Sequence, residues 1–301
     1  MAELDIHNSF VIHWYRPSAW LQVAGADAGA FLQGQFTHEL RGLAPGSAAY
    51  GLWLDQKGKT VADSFVLPAE GSGAFWVGSY FSSAEGIRSR LESYIIADDV
   101  TVEDFTAAWT GVTLFGAGAE AWWRAETGLP GVFFPGRRGR TPAWEWIFPR
   151  SAEAAVAGLL AGRPEADAAT LERWRMAAGI PSVPQDVGPA DLPNEAGLED
   201  SAISYTKGCY LGQEIMARLK SRGNVRRRLL AVAGPGPLPP LPAKLWQDGR
   251  IAGELRSAFA IEAGGGFRGL AMLTLGGLRR EEPLAVAADG RAEIRILSAP
   301  A

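Results

Sequence analysis

The sequence is poor in the residues that build disulfides and metal sites. Its 301 residues include one cysteine, Cys209, and three widely separated histidines, His7, His13 and His38. A single cysteine excludes a disulfide within the chain and suits a reducing compartment. Because an iron–sulfur cluster normally takes four cysteine ligands, we expect the chain alone to hold no such cluster and no His/Cys metal centre.

Long apolar runs and an excess of positive charge are also missing. No stretch approaches the roughly 18 to 20 apolar residues of a membrane span. The amino terminus lacks the basic start and the apolar core of a secretory signal, so we expect a cytoplasmic protein. The net charge of −4 and the pI near 5.6 argue against a surface that binds nucleic acid as a whole, but they leave room for a local basic patch.

What is present indicates a globular protein of mixed structure. Hydrophobic residues make up 47% and charged residues 21%, and the length favours two or three domains.

Helical periodicity predicts one helix after Asp27 as N-cap and a second in which Ser82 and Glu85 fit a capping box. Two strand-like runs flank the Gln-Lys-Gly-Lys turn at 56–59, a hairpin signal. Further strands are predicted at DVTVEDF, GVTLF, GVFF and AWEWIF, with helices at AGAEAWWRAETG and SAEAAVAGLLAG. The mixture predicts the α+β class.

From residue 181 onward the sequence pattern changes from mixed helices and strands to a long loop followed by strands. Residues 181–197 form a long loop-like stretch, which in a compact domain usually serves a site. The Pro/Gly-rich segment at 233–243 is predicted to be a linker. Beyond it only strands are expected, including a hairpin at Asp248-Gly249. We therefore predict mixed α+β structure within residues 1–232 and a small β-barrel or sandwich at 244–301.

The lone cysteine lies in the stretch SYTKGCYLGQEIMAR, residues 204–218. Gly208 and Gly212 permit a tight turn at a helix start, where backbone amides and Lys207 lower the pKa of a thiol. That arrangement predicts a reactive Cys209. The alternative is that Cys209 fills a gap in the core, the more common case for a free cysteine. No motif ties a histidine to Cys209, so a cysteine hydrolase is not supported.

Positive charge is concentrated just after this motif. Six basic residues fall within eleven positions without an acid, namely Arg218, Lys220, Arg222, Arg226, Arg227 and Arg228. Such a run is usually a solvated face. Its position beside the cysteine motif makes an anionic ligand the sharper alternative, either a multi-carboxylate tail or a nucleic-acid phosphate.

Aromatic residues and one acid complete the candidates. The chain has eleven tryptophans, including Trp20 and Trp174, most of which we expect in the core while a minority line a pocket for a flat ligand. Asp63 lies among apolar neighbours in TVADSFVL. It is either an exposed strand residue or a buried carboxylate that addresses ring nitrogens.

The motif KGCYLGQEIMAR resembles the signature of the YgfZ family of folate-binding proteins, relatives of the aminomethyltransferase (T-protein) of the glycine cleavage system. The resemblance extends over nearly the whole chain. VAGADAGAFLQGQFTHEL is similar to the opening segment of the family, LDQKGKTVADSFVL to its Lys-Gly hairpin, and DGRIAGELRSAF to a strand pair of its barrel. WRMAAGIP and LPNEAGLEDSAISYTKGCYLGQE are similar to its central portion.

This resemblance implies a three-lobed aminomethyltransferase-like ring of two α+β domains and a C-terminal antiparallel β-barrel. It implies tetrahydrofolate, with or without a polyglutamate tail, as cofactor and no bound metal. The implied role is an accessory protein, rather than a conventional enzyme, for assembly or repair of iron–sulfur enzymes, including those that modify tRNA. Its partners would be the client enzymes or assembly proteins, with tRNA contact as an open alternative. The alternative function is a folate-dependent one-carbon (aminomethyl) transferase.

The resemblance also implies residue roles. The functional pair would be Cys209 and Lys207. The motif loop would comprise Gly208, Tyr210, Gly212, Gln213 and Glu214, and the cofactor-binding residues would be Asp63, Trp20, Trp174, Arg175, Glu195, Tyr205, Arg218 and Arg228.

Two positions depart from the aminomethyltransferase pattern. The glutamate that hydrogen-bonds the pterin in those enzymes is replaced here by Ala177, and of two adjacent aspartates only Asp63 remains, after Ala62. Losing a charged hydrogen-bond partner costs about 1.5–3 kcal/mol. We therefore expect folate affinity about tenfold or more below that of the enzymes, and no aminomethyl transfer.

Overall fold

The chain folds into three antiparallel sheets, and two of them each carry two helices on one face. A computed structural model describes residues 9–71, 73–223, 225–261 and 265–297. Within these residues the strands are β1 (Val11–Tyr15), β2 (Ala19–Ala24), β3 (Ala49–Leu54), β4 (Thr60–Pro68), β5 (Phe75–Ser79), β6 (Thr101–Asp104), β7 (Trp109–Phe115), β8 (Val132–Pro135), β9 (Ala143–Pro149), β10 (Arg227–Gly234), β11 (Ala243–Gln247), β12 (Arg250–Ala260), β13 (Phe267–Thr274) and β14 (Arg295–Ile296). The helices are α1 (Ala28–Gln35), α2 (Ala84–Glu92), α3 (Gly118–Ala125), α4 (Glu153–Leu159), α5 (Ala168–Ala177) and α6 (Gln213–Arg222).

The first two sheets form the inner layers of a four-layer stack. The first sheet has the order β3-β4-β5-β2-β6, and α1 and α2 pack on one of its faces. The second has the order β1-β7-β9-β8, and α3 and α4 cover its outer face. The remaining faces meet through Trp20, Phe65 and Trp76 of the first sheet and Phe134 and Ile147 of the second. Each sheet thus buries both faces.

The third sheet forms the C-terminal unit, with the order β11-β12-β13-β10-β14. The predicted Asp248-Gly249 hairpin is present: both residues have positive φ, 51° and 71°, and Gln247 pairs with Arg250 across the turn. These angles fit a type I′ turn, which matches the twist of the strands it joins. Because β10 pairs with β13, the sheet includes a strand that precedes the Pro/Gly-rich segment. The domain boundary at 233–243 itself stays a prediction.

The α+β class is confirmed, and so are both predicted hairpins. One cap differs from the prediction: α2 begins after Ser83, whose hydroxyl accepts a hydrogen bond from the Gly86 amide, whereas Ser82 bonds to Asp63. Helix α5 was not predicted, and the stretch at 181–197 contains a short 3-10 turn at Pro193–Ala196. In the described ranges, no helix has the length and apolar character needed to cross a membrane.

Candidate functional site

The cysteine motif forms a loop that is anchored on the end of α1. The Lys207 side chain is buried, and its Nζ donates hydrogen bonds to the carbonyl oxygens of Gln33, Phe36 and His38 at 2.8, 2.6 and 2.8 Å. Carbonyls at the C-terminal end of a helix lack partners within the helix, and the helix dipole favours a cation there. Lys207 therefore caps α1 from a distant part of the chain.

The rest of the loop packs against the β3–β4 hairpin. The Tyr210 ring is buried in an apolar cluster that includes Leu52 and Leu54. Gly212 has a φ of +85°, and a Cβ there would lie 3.0 Å from a backbone oxygen of the hairpin, so only glycine fits without strain. Gly208 differs from the prediction, because it has no positive φ and a Cβ there would meet no atom within 4 Å.

The structure changes the interpretation of Cys209. Its side chain is exposed, so the packing alternative is wrong. All three ammonium protons of Lys207 are donated to carbonyl oxygens, so its activation of the thiol stays a prediction. Burial lowers the pKa of Lys207 to about 8. Helix α6 begins at Gln213, four residues after Cys209. Lys207 positions the loop that presents the thiol.

A second group of polar residues surrounds Asp63 on β4. Asp63 is buried, and its Oδ1 accepts hydrogen bonds from the hydroxyls of Ser79 and Ser82, both at 2.7 Å. Its Oδ2 accepts a hydrogen bond from the Tyr50 hydroxyl at 3.0 Å. Burial raises the pKa of Asp63, and these three hydroxyls offset part of that effect. The exposed-strand alternative for Asp63 is therefore wrong.

Arg137 connects this group to the loop that leads to the cysteine. Its guanidinium lies 4.2 Å from the centre of the Tyr50 ring, and its Nη2 donates to Ser201 Oγ at 3.4 Å. Its Nη1 is buried and has no hydrogen-bond partner in the described structure. Arg137 and Tyr50 were not predicted. The run GRRGR at 136–140 was the available signal, since it places three arginines within five residues.

Further unpartnered polar atoms follow along the 194–205 segment. Within the described part of the chain, Asn194 Oδ1 and Glu199 Oε2 are buried without a hydrogen-bond partner, and the Tyr205 hydroxyl, which is near the Asn194 side chain, forms no well-aligned hydrogen bond. Burial raises the pKa of Tyr205. Arg228 reaches the same segment, donating to the Asn194 carbonyl oxygen at 3.0 Å and to Glu199 at 3.4 Å. Tyr50 and Tyr205 pack on the apolar cluster that holds the cysteine loop. Buried polar atoms without partners are rare, and here they mark a candidate ligand site.

The two tryptophans predicted to face a ligand are used in packing. Trp20 is fully buried and stacks on Trp76 at 5.3 Å between ring centres, inside the sheet–sheet interface. Its assignment to cofactor binding is therefore wrong, because no part of its surface is accessible. Trp174 is partly buried and stacks on Phe115 at 4.4 Å.

Two charged residues predicted to bind the cofactor are held in ion pairs. Arg175 is buried and bonds to Asp186 at 2.8 Å, which closes the start of the long loop. Glu195 is buried and accepts from Arg227 at 2.7 Å, which ties the end of that loop to β10. Asp191 lies between Asp186 and Glu195 in the sequence, and it pairs with Arg227 at 2.9 Å. These pairs fix the loop and give Arg175 and Glu195 a structural role, while their assignment to ligand binding stays a prediction.

The basic run is largely neutralised by neighbouring groups. Arg218 forms an exposed ion pair with Glu214 at 2.9 Å. Lys220 lies over the Tyr205 ring, 3.9 Å from its centre, and Arg226 is exposed. Arg227 and Arg228 also pair with acids. Among the side chains of this run that the structure describes, Lys220 and Arg226 therefore stay the better candidates for a phosphate or carboxylate. In the described ranges no group of three His, Cys, Asp or Glu side chains is arranged to hold a metal ion.

Comparisons with known proteins agree with this architecture. Residues 17–128 match the GCVT N-terminal domain, and residues 226–298 match the CAF17 C-terminal beta-barrel domain. The aminomethyltransferase T of the glycine cleavage system from Bartonella henselae superimposes with a TM-score of 0.78 over 98% of this chain and 87% of that chain, at 16% identity. The fold defines an aminomethyltransferase-like protein with a CAF17-type barrel.

Sequence relatives narrow this class. The iron-sulfur cluster assembly factor IBA57, mitochondrial, of Mus musculus is 30% identical over 271 residues, which span 85% of this chain and 75% of the relative. The tRNA-modifying protein YgfZ of Escherichia coli (strain K12 / DH10B) is 28% identical over 267 residues, spanning 80% and 79%. The chain belongs to the IBA57/YgfZ family, which confirms the resemblance seen in the cysteine motif.

Proposed function

We propose that this chain is a tetrahydrofolate-binding accessory protein that supports the assembly or repair of iron–sulfur enzymes, including enzymes that modify tRNA, in the cytoplasm. The observation that carries the proposal is the anchored cysteine loop. Lys207 and Tyr210 are buried on either side of Cys209, and the thiol between them is exposed. Two relatives, an iron–sulfur cluster assembly factor and a tRNA-modifying protein, support the same role.

In this proposal the iron–sulfur cluster is cargo that passes between proteins, and the Cys209 thiol contacts it. A single thiolate supplies one of the four protein ligands that an iron–sulfur cluster normally takes. A client enzyme or an assembly protein would therefore supply the others, and Cys209 would serve as a transient ligand or a redox partner. The exposed position of Cys209 is what such an encounter needs, because the thiol has to reach a second protein.

The group around Arg137 fits a folate. Arg137 Nη1 is an unused donor, while Asn194 Oδ1 and Glu199 Oε2 are unused acceptors. A pterin ring has both donors and acceptors along its edge, and the rings of Tyr50 and Tyr205 give aromatic surface beside them. Bound tetrahydrofolate would supply a reduced pterin able to carry a one-carbon group. The residues of this chain would bind and orient that ring close to the cysteine loop.

Titration with tetrahydrofolate tests this site. We expect saturable quenching of tryptophan fluorescence and a ligand-dependent rise in melting temperature. Arg137→Met and Asn194→Leu should each weaken binding about tenfold or more. Arg88→Met removes an exposed arginine from α2 and serves as the matched control. No saturable change in the unmodified protein, together with no thermal protection, would refute folate binding.

Aminomethyl transfer with Asp63 as the acid is the alternative function. It has less support, because both carboxylate oxygens of Asp63 already accept hydrogen bonds from Tyr50, Ser79 and Ser82. Turnover of an aminomethyl-carrier substrate, abolished by Asp63→Asn, would establish this alternative. We expect no turnover in the unmodified protein.

A further inference from the structure

A buried acid outside the candidate ligand site, Glu145, lies on β9 with none of its surface exposed. Its Oε1 accepts hydrogen bonds from the Tyr80 hydroxyl at 2.7 Å and from Arg138 Nε at 3.1 Å. Its Oε2 accepts a hydrogen bond from the Thr113 hydroxyl at 2.9 Å. Burial of a carboxylate is costly unless it is paired and hydrogen-bonded, and these three donors supply that compensation. Glu145 thus contacts both inner sheets and the β8–β9 loop.

The charge of Glu145 is paired with Arg138, which is itself buried. The Arg138 guanidinium lies 3.5 Å from the centre of the Tyr80 ring and 4.5 Å from that of Tyr15. Burial raises the pKa of both tyrosines, and the negative charge of Glu145 adds to this effect. Both phenols therefore stay protonated near neutral pH, and the Tyr80 hydroxyl donates its proton to Glu145. The Tyr15 hydroxyl is near Glu145 but forms no well-aligned hydrogen bond.

The same cluster fixes the backbone of the loop that carries Arg137. The oxygen of the Tyr80 hydroxyl accepts a hydrogen bond from the Arg137 amide at 3.1 Å. At Gly136 a Cβ would lie 2.5 Å from Glu145 Oε1, so the backbone passes close to the carboxylate. Two successive residues of the loop are therefore tied to the cluster, Arg137 by its amide and Arg138 by its side chain.

The side chain of Arg137 reaches the candidate ligand site. Its guanidinium lies 4.2 Å from the centre of the Tyr50 ring, and its buried Nη1 has no hydrogen-bond partner in the described structure. Its positive charge is one of the influences that lower the pKa of Asp63, which burial raises. Ordering a long arginine side chain costs conformational entropy, so a fixed backbone favours one direction for it.

We propose that Glu145 is a positioning residue, which directs Arg137 to the candidate ligand site through Tyr80 and Arg138. The carboxylate takes the proton of the Tyr80 hydroxyl, which leaves the hydroxyl oxygen to accept from the Arg137 amide. It also pairs the charge of Arg138 and thereby fixes the next residue of the loop. The inference rests on the proposed function only for the identity of the ligand, because the direction of Arg137 is measurable without one.

Two variants test the link and one serves as control. Glu145→Gln keeps the size of the side chain but leaves the buried charge of Arg138 unpaired, so it lowers stability as well. Tyr80→Phe removes only the hydroxyl between Glu145 and the Arg137 amide and keeps the ring beside Arg138. Tyr15→Phe is the matched control, because it removes a hydroxyl near the same carboxylate from a ring beside the same guanidinium. Thermal unfolding shows which variants fold.

NMR of the full chain without ligand gives the first readout. The Nε–H proton of Arg137 lies near the Tyr50 ring, whose ring current shifts its resonance, and Arg137→Lys assigns the signal. We expect Tyr80→Phe, and Glu145→Gln where it folds, to remove most of this shift. Hydrogen exchange of the Arg137 amide should become about tenfold faster or more in Tyr80→Phe. Tyr15→Phe should change neither signal.

Titration with tetrahydrofolate gives the second readout, with affinity about tenfold lower in Tyr80→Phe and unchanged in Tyr15→Phe. If Tyr80→Phe leaves the Arg137 resonance and amide exchange as they are in Tyr15→Phe, the positioning role is refuted, whatever folate does. If both signals change but the unmodified protein does not bind tetrahydrofolate, the positioning role stands and the folate proposal fails. Changed signals with unchanged tetrahydrofolate affinity would overturn the positioning role and leave folate binding in place.

Discussion

Replacing Lys207 with methionine tests the anchor of the cysteine loop. The substitution removes three hydrogen bonds from one ammonium group to the carbonyl oxygens of Gln33, Phe36 and His38. Hydrogen bonds to a charged group contribute about 1.5–3 kcal/mol each, and part of that gain is offset by the burial of the charge. Methionine keeps the apolar contacts of the side chain. We therefore expect Lys207→Met to lower the free energy of unfolding by about 3 kcal/mol.

Thermal and urea unfolding measure this effect, with Lys57→Met as the control because Lys57 is exposed on the β3–β4 hairpin. A loss of about 3 kcal/mol corresponds to a melting temperature roughly 6–12 °C lower.

The pH dependence of the unfolding free energy gives a second readout. The pKa of Lys207 is lowered from 10.5 to about 8, so the unfolded state binds more protons between these values. Stability from this group should rise with pH in that window, and the variant should lack the rise. A Lys207→Met protein that melts like the Lys57→Met control would refute the anchor.

Three other substitutions check the remaining assignments. Cys209→Ser should change the unfolding free energy by less than about 0.5 kcal/mol, because the thiol is exposed, yet it should reduce the activity of iron–sulfur enzymes in cells that depend on this protein; marked destabilisation would contradict the assignment. Asp191→Asn should cost about 2 kcal/mol in urea unfolding near neutral pH, whereas exposed Asp200→Asn should not. Burial raises the pKa of Asp191, but hydrogen bonds from arginine and the Gly188 amide lower it overall, so this stability should be lost as the pH falls through the lowered pKa. Burial raises the pKa of Asp63 above 3.8, so the stability from this group falls as the pH rises past 3.8, and Asp63→Asn should remove that part of the pH dependence.

Local signals predicted much of the fold. The Asp248-Gly249 turn is an example, because the two residues that adopt positive φ are adjacent and the strands they join follow at once. The error at the α2 cap was a shift of one residue, since Ser82 and Ser83 are equally good caps by composition. Only the tertiary structure directs the Ser82 hydroxyl, between β5 and α2, to Asp63 on β4.

The candidate site was predicted less completely, because its members are distant in the chain. Arg137 meets Tyr50 and Ser201 across separations that no periodicity reveals. Arg175 and Glu195 looked available in the sequence, but each has a charged partner that only folding brings near. The type of an ionisable residue gives its charge, but it does not show whether folding brings an oppositely charged partner near it.

By itself, the sequence determined the family, the α+β class, the hairpins and the position of the single thiol, because these depend on residue types at short and regular spacings. The tertiary structure decided which of those residues are free to act. It buried Trp20, paired Arg227 with two acids, and placed Lys207 on the carbonyl end of α1 while Cys209 stayed exposed. The physical reason is that burial and charge pairing arise between segments far apart in the chain, where the cost of leaving a polar group unpartnered selects its contacts.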